Sequence, residues 1–597
     1  MGAFQELQRA VTKLGIIRTL SLIFEKRNKK KRIASLLANH DGIATLKQFE
    51  ILIPSLTPEE ETAVIEKADA MLSDENFFFT FPYKIQGIED PWNYDPLEQK
   101  NWQKKHYEET RVHSADTPKD VKIVWEINRF KDSLVLAEAA FITKDKKYAD
   151  EVERRLLSWI ESNPFGNSVN WSSPLELGIR IISWSVSLRL LRGALFRVDE
   201  NPAIQRSVYE HAAYLAAALS TDKIVRSNHL IGEVTGLYVV SSLFDYSGAA
   251  EHREQAKAIL QDSVLKQTYP DGVSRESSGW YHGFVTDFAE VAERVASASN
   301  DAFGVEFNTR LRDMLTYKNS ILGADGIIKY GDFDNGKAIE LPSKWRDAVL
   351  GVSPATSGER KNLFNDAKHV SVKLDSNELF FRAGEFGWGG SGFSSHAHDD
   401  FLAPVVSMHR HPILVDPGTY VYNGDPENRD KYRVASYHNT VIIGDTSSAV
   451  LKPNFGWQKV RPDASIDFFT ENDDEVIAEA SFGESKGQHL RRFRLTKELF
   501  TLEDHFELKS DKSAQWHFHF HPRWRIEKLD GLKFALRDFR GHEFLFELSE
   551  GELDFEVLDY DFSGSYMEKS RAKKIRLTTT LAQGAHHYRF EITRSSR

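Results

Sequence analysis

The sequence predicts two kinds of architecture in one chain: a body of helical hairpins, then an antiparallel β-sandwich that runs to the C-terminus. Between residues 120 and 320, apolar side chains recur at three- and four-residue spacing, as in Leu156, Leu157, Trp159 and Ile160, the pattern of amphipathic helices. Near residue 366 the period drops to two. Val370, Val372 and Leu374 alternate with polar residues, and short alternating runs punctuated by Gly, Asn and Asp follow. The length, 597 residues, exceeds what one hydrophobic core organises. The expected division is a helical segment over 1–70, a body of paired helices over 71–365 and the β-sandwich over 366–597.

In the first segment, Pro58 suits a first-turn position and Glu59, Glu60 and Glu61 suit the positive end of a helix dipole, so a helix should run from Pro58 toward Met71. An irregular aromatic stretch from Phe77 through Pro91-Trp92-Asn93-Tyr94 to Trp102 should lie extended over the helical body. Helices are expected over 128–144, 147–162, 175–195, 203–219, 229–244, 251–267, 280–298 and 308–322, separated by Asn-Pro, Asp-Gly and Ser-Asn breaks. Hairpins repeated in this way form a toroid or a superhelix. Strands are expected over 440–443, 476–482, 491–502, 515–521, 543–548 and 574–580. In Trp516-His517-Phe518-His519-Phe520-His521 three His share one face. Alternate positions lie about 7 Å apart, which fits a half-buried strand better than one small ion.

Composition narrows the function classes. A formal charge of −11 gives no support for nucleic-acid binding. The absence of cysteine removes disulfides, thiolate metal sites and cysteine nucleophiles. Plentiful aromatics, with 12 Trp, 39 Phe and 19 Tyr, suit sugar stacking as well as large β-cores. Charges at Glu6, Arg9, Lys13 and Arg18 interrupt the apolar N-terminus, so it reads as an amphipathic helix followed by a basic run, Lys26 to Arg32, and not as a secretory signal. Peripheral contact with anionic lipid is one use of such a helix; a solvated helix end is the plainer one. The expected location is cytoplasmic, with the periplasm as alternative. Oligomeric state is not legible.

Chemistry concentrates between Ser395 and Asp416. His396-Ala397-His398 stands beside a Gly-rich turn, Trp388 to Gly392; on a strand the two rings would share a face, and at a bend they would diverge. Asp416 follows an apolar run, and His438 opens another strand segment. Two His and one Asp with an open position make a plausible zinc shell, although single His residues in β-rich regions are more often surface or core groups. Helix entrances add further polar groups. Asn128 and Arg129 follow Trp125, while Asn170 and Trp171 precede Glu176 and Arg180. Arg226-Ser227-Asn228-His229 leads to Glu233, and Arg275-Glu276 leads to Tyr281-His282. Ser227 or Asn228 can equally be an N-cap, and Tyr281 a packing residue. Trp faces at such entrances can stack on pyranose rings while Arg and Asn bind carboxylates and hydroxyls.

Taken together, Trp125-Glu126-Ile127-Asn128-Arg129, Ser227-Asn228-His229, Arg275-Glu276 with Tyr281-His282, His396-Ala397-His398-Asp399, Val415 to Tyr420 and His438-Asn439-Thr440 resemble the heparinase II/III family of polysaccharide lyases. The resemblance runs in register from about residue 75 to 450. It implies an (α/α) toroid followed by an antiparallel β-sandwich, and β-elimination at a 4-linked uronic acid in an acidic polysaccharide. It also implies Asn228, Tyr281 and His396 as catalytic residues. Substrate contacts are expected from Asn128, Arg129, Asn170, Trp171, Arg180, His229, Glu233, Arg275, Glu276, His282 and Tyr420. His398, Asp416 and His438 match positions that hold a structural Zn2+ in some members. Degradative members are exported, whereas no clear export signal is visible here, so the expected substrate is either a heparin- or heparan-sulfate-like glycan or the cell's own capsule or exopolysaccharide. The competing readings are a metal-dependent glycan hydrolase using the same His-Asp-His set, and a glycan-binding protein without turnover.

Overall fold

The computed structural model describes residues 24–595 except 26, 37, 39–40, 49–55, 111, 113–117, 223–226, 324–325, 340–360, 388–394, 445–448, 453–455, 461–463, 485–486 and 551. The amphipathic helix expected over Met1 to Phe24 therefore lies outside the described residues but for Phe24, and so do the Gly-rich turn at 388–392 and Arg226. Two compact units emerge. One comprises Met1–Gln267, Phe284–Leu311 and Gly336–Thr356; the other comprises Thr268–Gly283, Arg312–Asn335 and Ser357–Arg597.

The first unit is helical. Its helices are α1 (Pro58–Leu72), α2 (Val121–Ile127), α3 (Lys131–Thr143), α4 (Lys146–Ser162), α5 (Pro174–Gly193), α6 (Pro202–Ala218), α7 (Asn228–Leu243) and α8 (Ala249–Gln267). The helices α9 (Gly279–Ala298) and α10 (Val305–Ser320) each begin in one unit and end in the other. Local chemistry sets the starts. Thr57 and Glu60 close a reciprocal capping box on α1, and Pro58, Pro174 and Pro202 each occupy a first-turn position whose N–H would have no helical partner. Packing sets the rest. Helix α5 is buried around its whole circumference, and it meets α7 where glycines face each other. A Cβ at Gly178 would lie 2.6 Å from the Gly232 carbonyl oxygen, and one at Gly236 would lie 2.5 Å from the Gly178 Cα. Only glycines permit that approach. Among the described residues, no helix is long and apolar enough to cross a membrane.

The second unit is built on antiparallel sheets. Strands β1 (Leu363–Phe364), β2 (His369–Leu374), β3 (Asn377–Arg382), β4 (Val405–Met408) and β5 (His411–Leu414) form a five-stranded meander. The remaining main strands are β6 (Val441–Ile443), β7 (Ser465–Glu471), β8 (Glu475–Glu484), β9 (Gly487–Thr496), β10 (Leu499–Leu508), β11 (Lys512–His519), β12 (Arg525–Lys528), β13 (Lys533–Arg537), β14 (Glu543–Glu550), β15 (Asp554–Phe562), β16 (Ser570–Leu581) and β17 (Gly584–Arg594). They form a four-stranded sheet ordered β6-β11-β16-β15 and an eight-stranded sheet ordered β7-β8-β9-β10-β17-β14-β13-β12. All three sheets supply side chains to one apolar core, including Phe381, Val406, Phe493, Trp516, Phe546 and Phe590. The single strand expected over 491–502 is two strands, β9 and β10, because the turn at Lys497-Glu498 reverses the chain. The segment between Asp400 and Val415 is a hairpin, β4 and β5, whose turn places His409 and Arg410 at positive φ.

Candidate active site and metal-ligand cluster

His396 and His398 do not lie on a strand. They sit in a turn whose backbone is fixed from several sides. Arg382, at the end of β3, donates to the Asp400 carboxylate and to the His398 carbonyl at 2.8 Å. Trp457 donates its indole N–H to the Ala397 carbonyl at 3.2 Å, and Asp399 N–H bonds the Arg433 carbonyl. The segment Tyr330 to Asn335 then crosses this turn: Asp332 N–H bonds the His396 carbonyl, and Gly331 N–H bonds Asp400. A Cβ at Gly331, whose φ is +59°, would lie 2.1 Å from the Ser277 carbonyl oxygen and 2.8 Å from that of His396. This glycine lets three backbone segments meet.

The result centres on Asp332, which is fully buried. One of its oxygens lies 2.9 Å from His396 Nδ1 and the other 2.9 Å from His398 Nε2. Arg429, on the short helix α11 (Pro426–Lys431), clamps the same carboxylate through both terminal nitrogens. Burial pushes the Asp332 carboxyl up, but the Arg429 charge and the two imidazole hydrogen bonds outweigh it, holding the group well below the ordinary carboxylate range. An ionised carboxylate only accepts hydrogen bonds, so each imidazole donates to it. That fixes the tautomers: neutral His396 carries its lone pair on Nε2, and neutral His398 on Nδ1.

Tyr281, in the first turn of α9, stacks on His396 with ring centroids 3.7 Å apart and an interplanar angle of 24°. Its hydroxyl donates to Asp334 at 2.8 Å. Burial, reinforced by the Asp334 charge, pushes the phenol well above its usual range, so it holds its proton. Tyr422 also lies nearly parallel to His396, 5.8 Å away between ring centroids, with its hydroxyl 3.3 Å from Nδ1. Glu276 places a carboxylate oxygen 3.8 Å from His396 Nε2. The site therefore holds a protonated phenol and an imidazole lone pair side by side, each backed by its own aspartate.

Below it, His398, Asp416 and His438 each offer one ligand atom, all within 4.8 Å of one another, and all three residues are buried. His438 Nδ1 lies 2.8 Å from an Asp416 oxygen. Burial opposes charge on His438, but the Asp416 carboxylate wins and raises its pKa; burial lowers that of His398. His398 Nδ1 and His438 Nε2 are buried without a hydrogen-bond partner. Two orphaned imidazole nitrogens beside a carboxylate are a donor set that fits a borderline-soft divalent ion.

Other expected residues take different places. Arg275 pairs with Glu385 at 3.2 Å and lies over the Tyr269 ring. His282 is buried, accepts from Ser274 N–H and bonds the Met314 carbonyl at 2.9 Å, and burial lowers its pKa to about 3. Tyr420, at φ +63°, lies under the Lys569 ammonium. The remainder belong to the helical unit. Asn128 donates to the Trp92 and Val124 carbonyls and accepts from Trp159, while Arg129 holds Glu176 through two 2.8 Å bonds. Asn170 donates to the Trp92 carbonyl and Arg180 to the Asn170 carbonyl. The Trp171 ring, expected to stack on sugar, is fully buried among Trp159, Phe165, His211 and Tyr214. Asn228 is buried in the first turn of α7, His229 follows it, and Glu233 accepts from Ser220. Sequence reasoning missed Asp332, Asp334, Tyr422 and Arg429. The signal was the string Tyr330-Gly331-Asp332-Phe333-Asp334-Asn335, two acids alternating beside a glycine.

Two family models match the chain: "Heparinase II/III N-terminus" over residues 24–344 and "Heparinase II/III-like, C-terminal" over 356–591. The chain belongs to the heparinase II/III family. A heparin-sulfate lyase of Pedobacter heparinus is 28% identical over 379 residues, covering 56% of this chain and 54% of that protein. The chain thus spans about half the length of that relative. A heparin-sulfate lyase of Bacteroides stercoris is 21% identical over 500 residues, covering 72% of this chain and 71% of the other. Among solved structures, a heparinase III crystal structure superposes with a TM-score of 0.66 at 15% identity, covering 95% of this chain and 91% of the other, a likeness of fold. The helical N-terminal and sheet-rich C-terminal parts agree with that neighbour.

Proposed function

We propose that this chain is a polysaccharide lyase that cleaves glycans containing 4-linked uronic acid by β-elimination, leaving a 4,5-unsaturated uronate end. The observation that carries the reading is the stacked Tyr281–His396 pair, with Asp334 behind the phenol and Asp332 behind the imidazole. The membership in the heparinase II/III family and the two heparin-sulfate lyase relatives support the substrate class, an acidic polysaccharide of the heparan-sulfate or bacterial capsule kind. Closure of the helical hairpins into an (α/α) toroid is part of the same proposal.

The chemistry follows from the residues. The C5 proton lies α to a carboxylate, and removing it leaves a dianionic enolate unless the carboxylate charge is neutralised. Asn228 is the proposed donor to that carboxylate, an interaction worth roughly 3–4 kcal/mol in the transition state. His396 takes the C5 proton on Nε2, the nitrogen that Asp332 leaves with its lone pair, and Asp332 stabilises the imidazolium that forms. The C5–H electron pair becomes the C4–C5 double bond as the C4–O4 bond breaks. Tyr281, kept protonated by burial and by Asp334, delivers its proton to the departing O4. For the opposite C5 epimer, Tyr281 first passes its proton to Asp334, takes the C5 proton as the phenolate and then delivers that proton to O4. His398, Asp416 and His438 would hold a zinc ion whose positive charge braces the turn carrying His396.

The test is absorbance near 230 nm, at about the wavelength of an unsaturated uronate, with heparin, heparan sulfate, hyaluronan, alginate and capsule material as substrates. Activity should appear with at least one and fall by about 100-fold or more in both Tyr281→Phe and His396→Ala. Reducing ends without an ultraviolet signal would overturn elimination and indicate hydrolysis.

A further inference from the structure

We infer that the eight-stranded sheet carries a second metal site, for a divalent transition-metal ion, formed by Glu503, His505 and His587. Strands β10 and β17 are antiparallel neighbours, and their register sets His505 directly opposite His587. The two imidazoles lie nearly parallel, 14° apart, with ring centroids separated by 4.2 Å. Glu503 precedes His505 by two residues on the same strand, so the pleat turns it to the same face. Each residue offers one ligand atom, and these all lie within 4.8 Å of one another.

The donor set selects the ion. Two imidazole nitrogens and one carboxylate oxygen suit Zn2+, Ni2+ or Co2+, whereas Ca2+ and Mg2+ require oxygen-rich shells. Tetrahedral bonds of about 2.0–2.1 Å draw ligand atoms to roughly 3.4 Å apart. The two imidazoles are exposed and can rotate to that spacing without disturbing the core. Two cations flank the carboxylate: Arg492 stands opposite Glu503 on β9, where it pairs with Glu479 at 3.3 Å. Arg589 faces Glu503 across the strand pair, with Nη1 3.3 Å from Glu503 Oε1, so an ion must draw the carboxylate away from it. Three protein ligands leave a fourth position. His505 and His587 also line a groove of about 870 Å³ with Asp467, Gln488 and Glu507, and the fourth ligand enters from there.

This site shares no residue with the His398 cluster, so the two are separable by stoichiometry. Metal-stripped full-length protein is titrated with ZnCl2 in a calorimeter, alongside the His505→Gln/His587→Gln double variant, with thermal melts of both. The expected result is one fewer equivalent of Zn2+ bound by the double variant, with an unchanged melting temperature of the stripped protein. Glu503→Gln should weaken that equivalent by about 10-fold, and Arg589→Gln, which frees the carboxylate, should tighten it several-fold. An unchanged stoichiometry in the double variant overturns the site. So does wild-type binding of that equivalent only at millimolar Zn2+.

Discussion

Replacing Asp332 by Asn tests the geometry at its centre. The change preserves shape but removes the charge that receives both terminal nitrogens of Arg429, His396 Nδ1 and His398 Nε2. Arg429 is buried, so it would lose the carboxylate that accepts from both its terminal nitrogens, a loss of about 3–5 kcal/mol. An amide also presents an N–H, so one imidazole must turn its lone pair inward. If that imidazole is His396, Nε2 carries the proton and proton abstraction stops. The expected rate loss is on the order of 100- to 10,000-fold. The assay is denaturant unfolding followed by turnover at about 230 nm under conditions where both proteins are folded. Adding Arg429→Gln to Asp332→Asn should recover stability by roughly 1–3 kcal/mol, since the buried charge that lost its carboxylate is gone, without recovering turnover. An Asp332→Asn protein that unfolds at the wild-type denaturant concentration and retains the wild-type rate would refute the reasoning.

Glu138 in α3 is buried, and burial raises its pKa to about 8, with Lys67 opposing weakly. A raised folded pKa contributes stability that is complete below the unfolded value near 4.5 and declines as pH rises toward 8. Glu138→Gln should therefore raise stability at pH 8 to 9 relative to wild type by about 1 kcal/mol or more, with little gain at pH 5; equal effects at both pH values would refute it. Gly178→Ala should lower stability by about 1–3 kcal/mol in denaturant unfolding, because the new Cβ meets the Gly232 carbonyl at 2.6 Å. Chelation should lower the melting temperature of the wild type, and His438→Ala should reduce that response, since a bound ion stabilises only the folded state.

The sequence by itself determined the order of materials: helices whose apolar spacing matches α3 to α10, then alternation that matches β2, β8 and β14. Local rules suffice there, because period, first-turn proline and turn residues act within a few positions. The same rules missed the reversal between β9 and β10, where two alternating strands join through a short turn with no glycine. They also singled out His396, His398, Asp416, His438 and Tyr281 as candidates, since unusual residue types clustered near turns and resembled a family's motifs. Tertiary structure decided which groups surround those residues. Asp332 lies 64 residues from His396 in the chain, and no spacing rule connects them. Their meeting depends on Gly331 letting backbone segments touch, and on Arg429 supplying the charge that keeps Asp332 ionised in a buried place. The polar residues at the helix entrances show the converse: Asn128, Arg129, Asn170 and Arg180 look like ligand contacts in sequence. Folding buries their side chains and turns their hydrogen bonds onto neighbouring helices, because a buried donor must find its acceptor inside the protein.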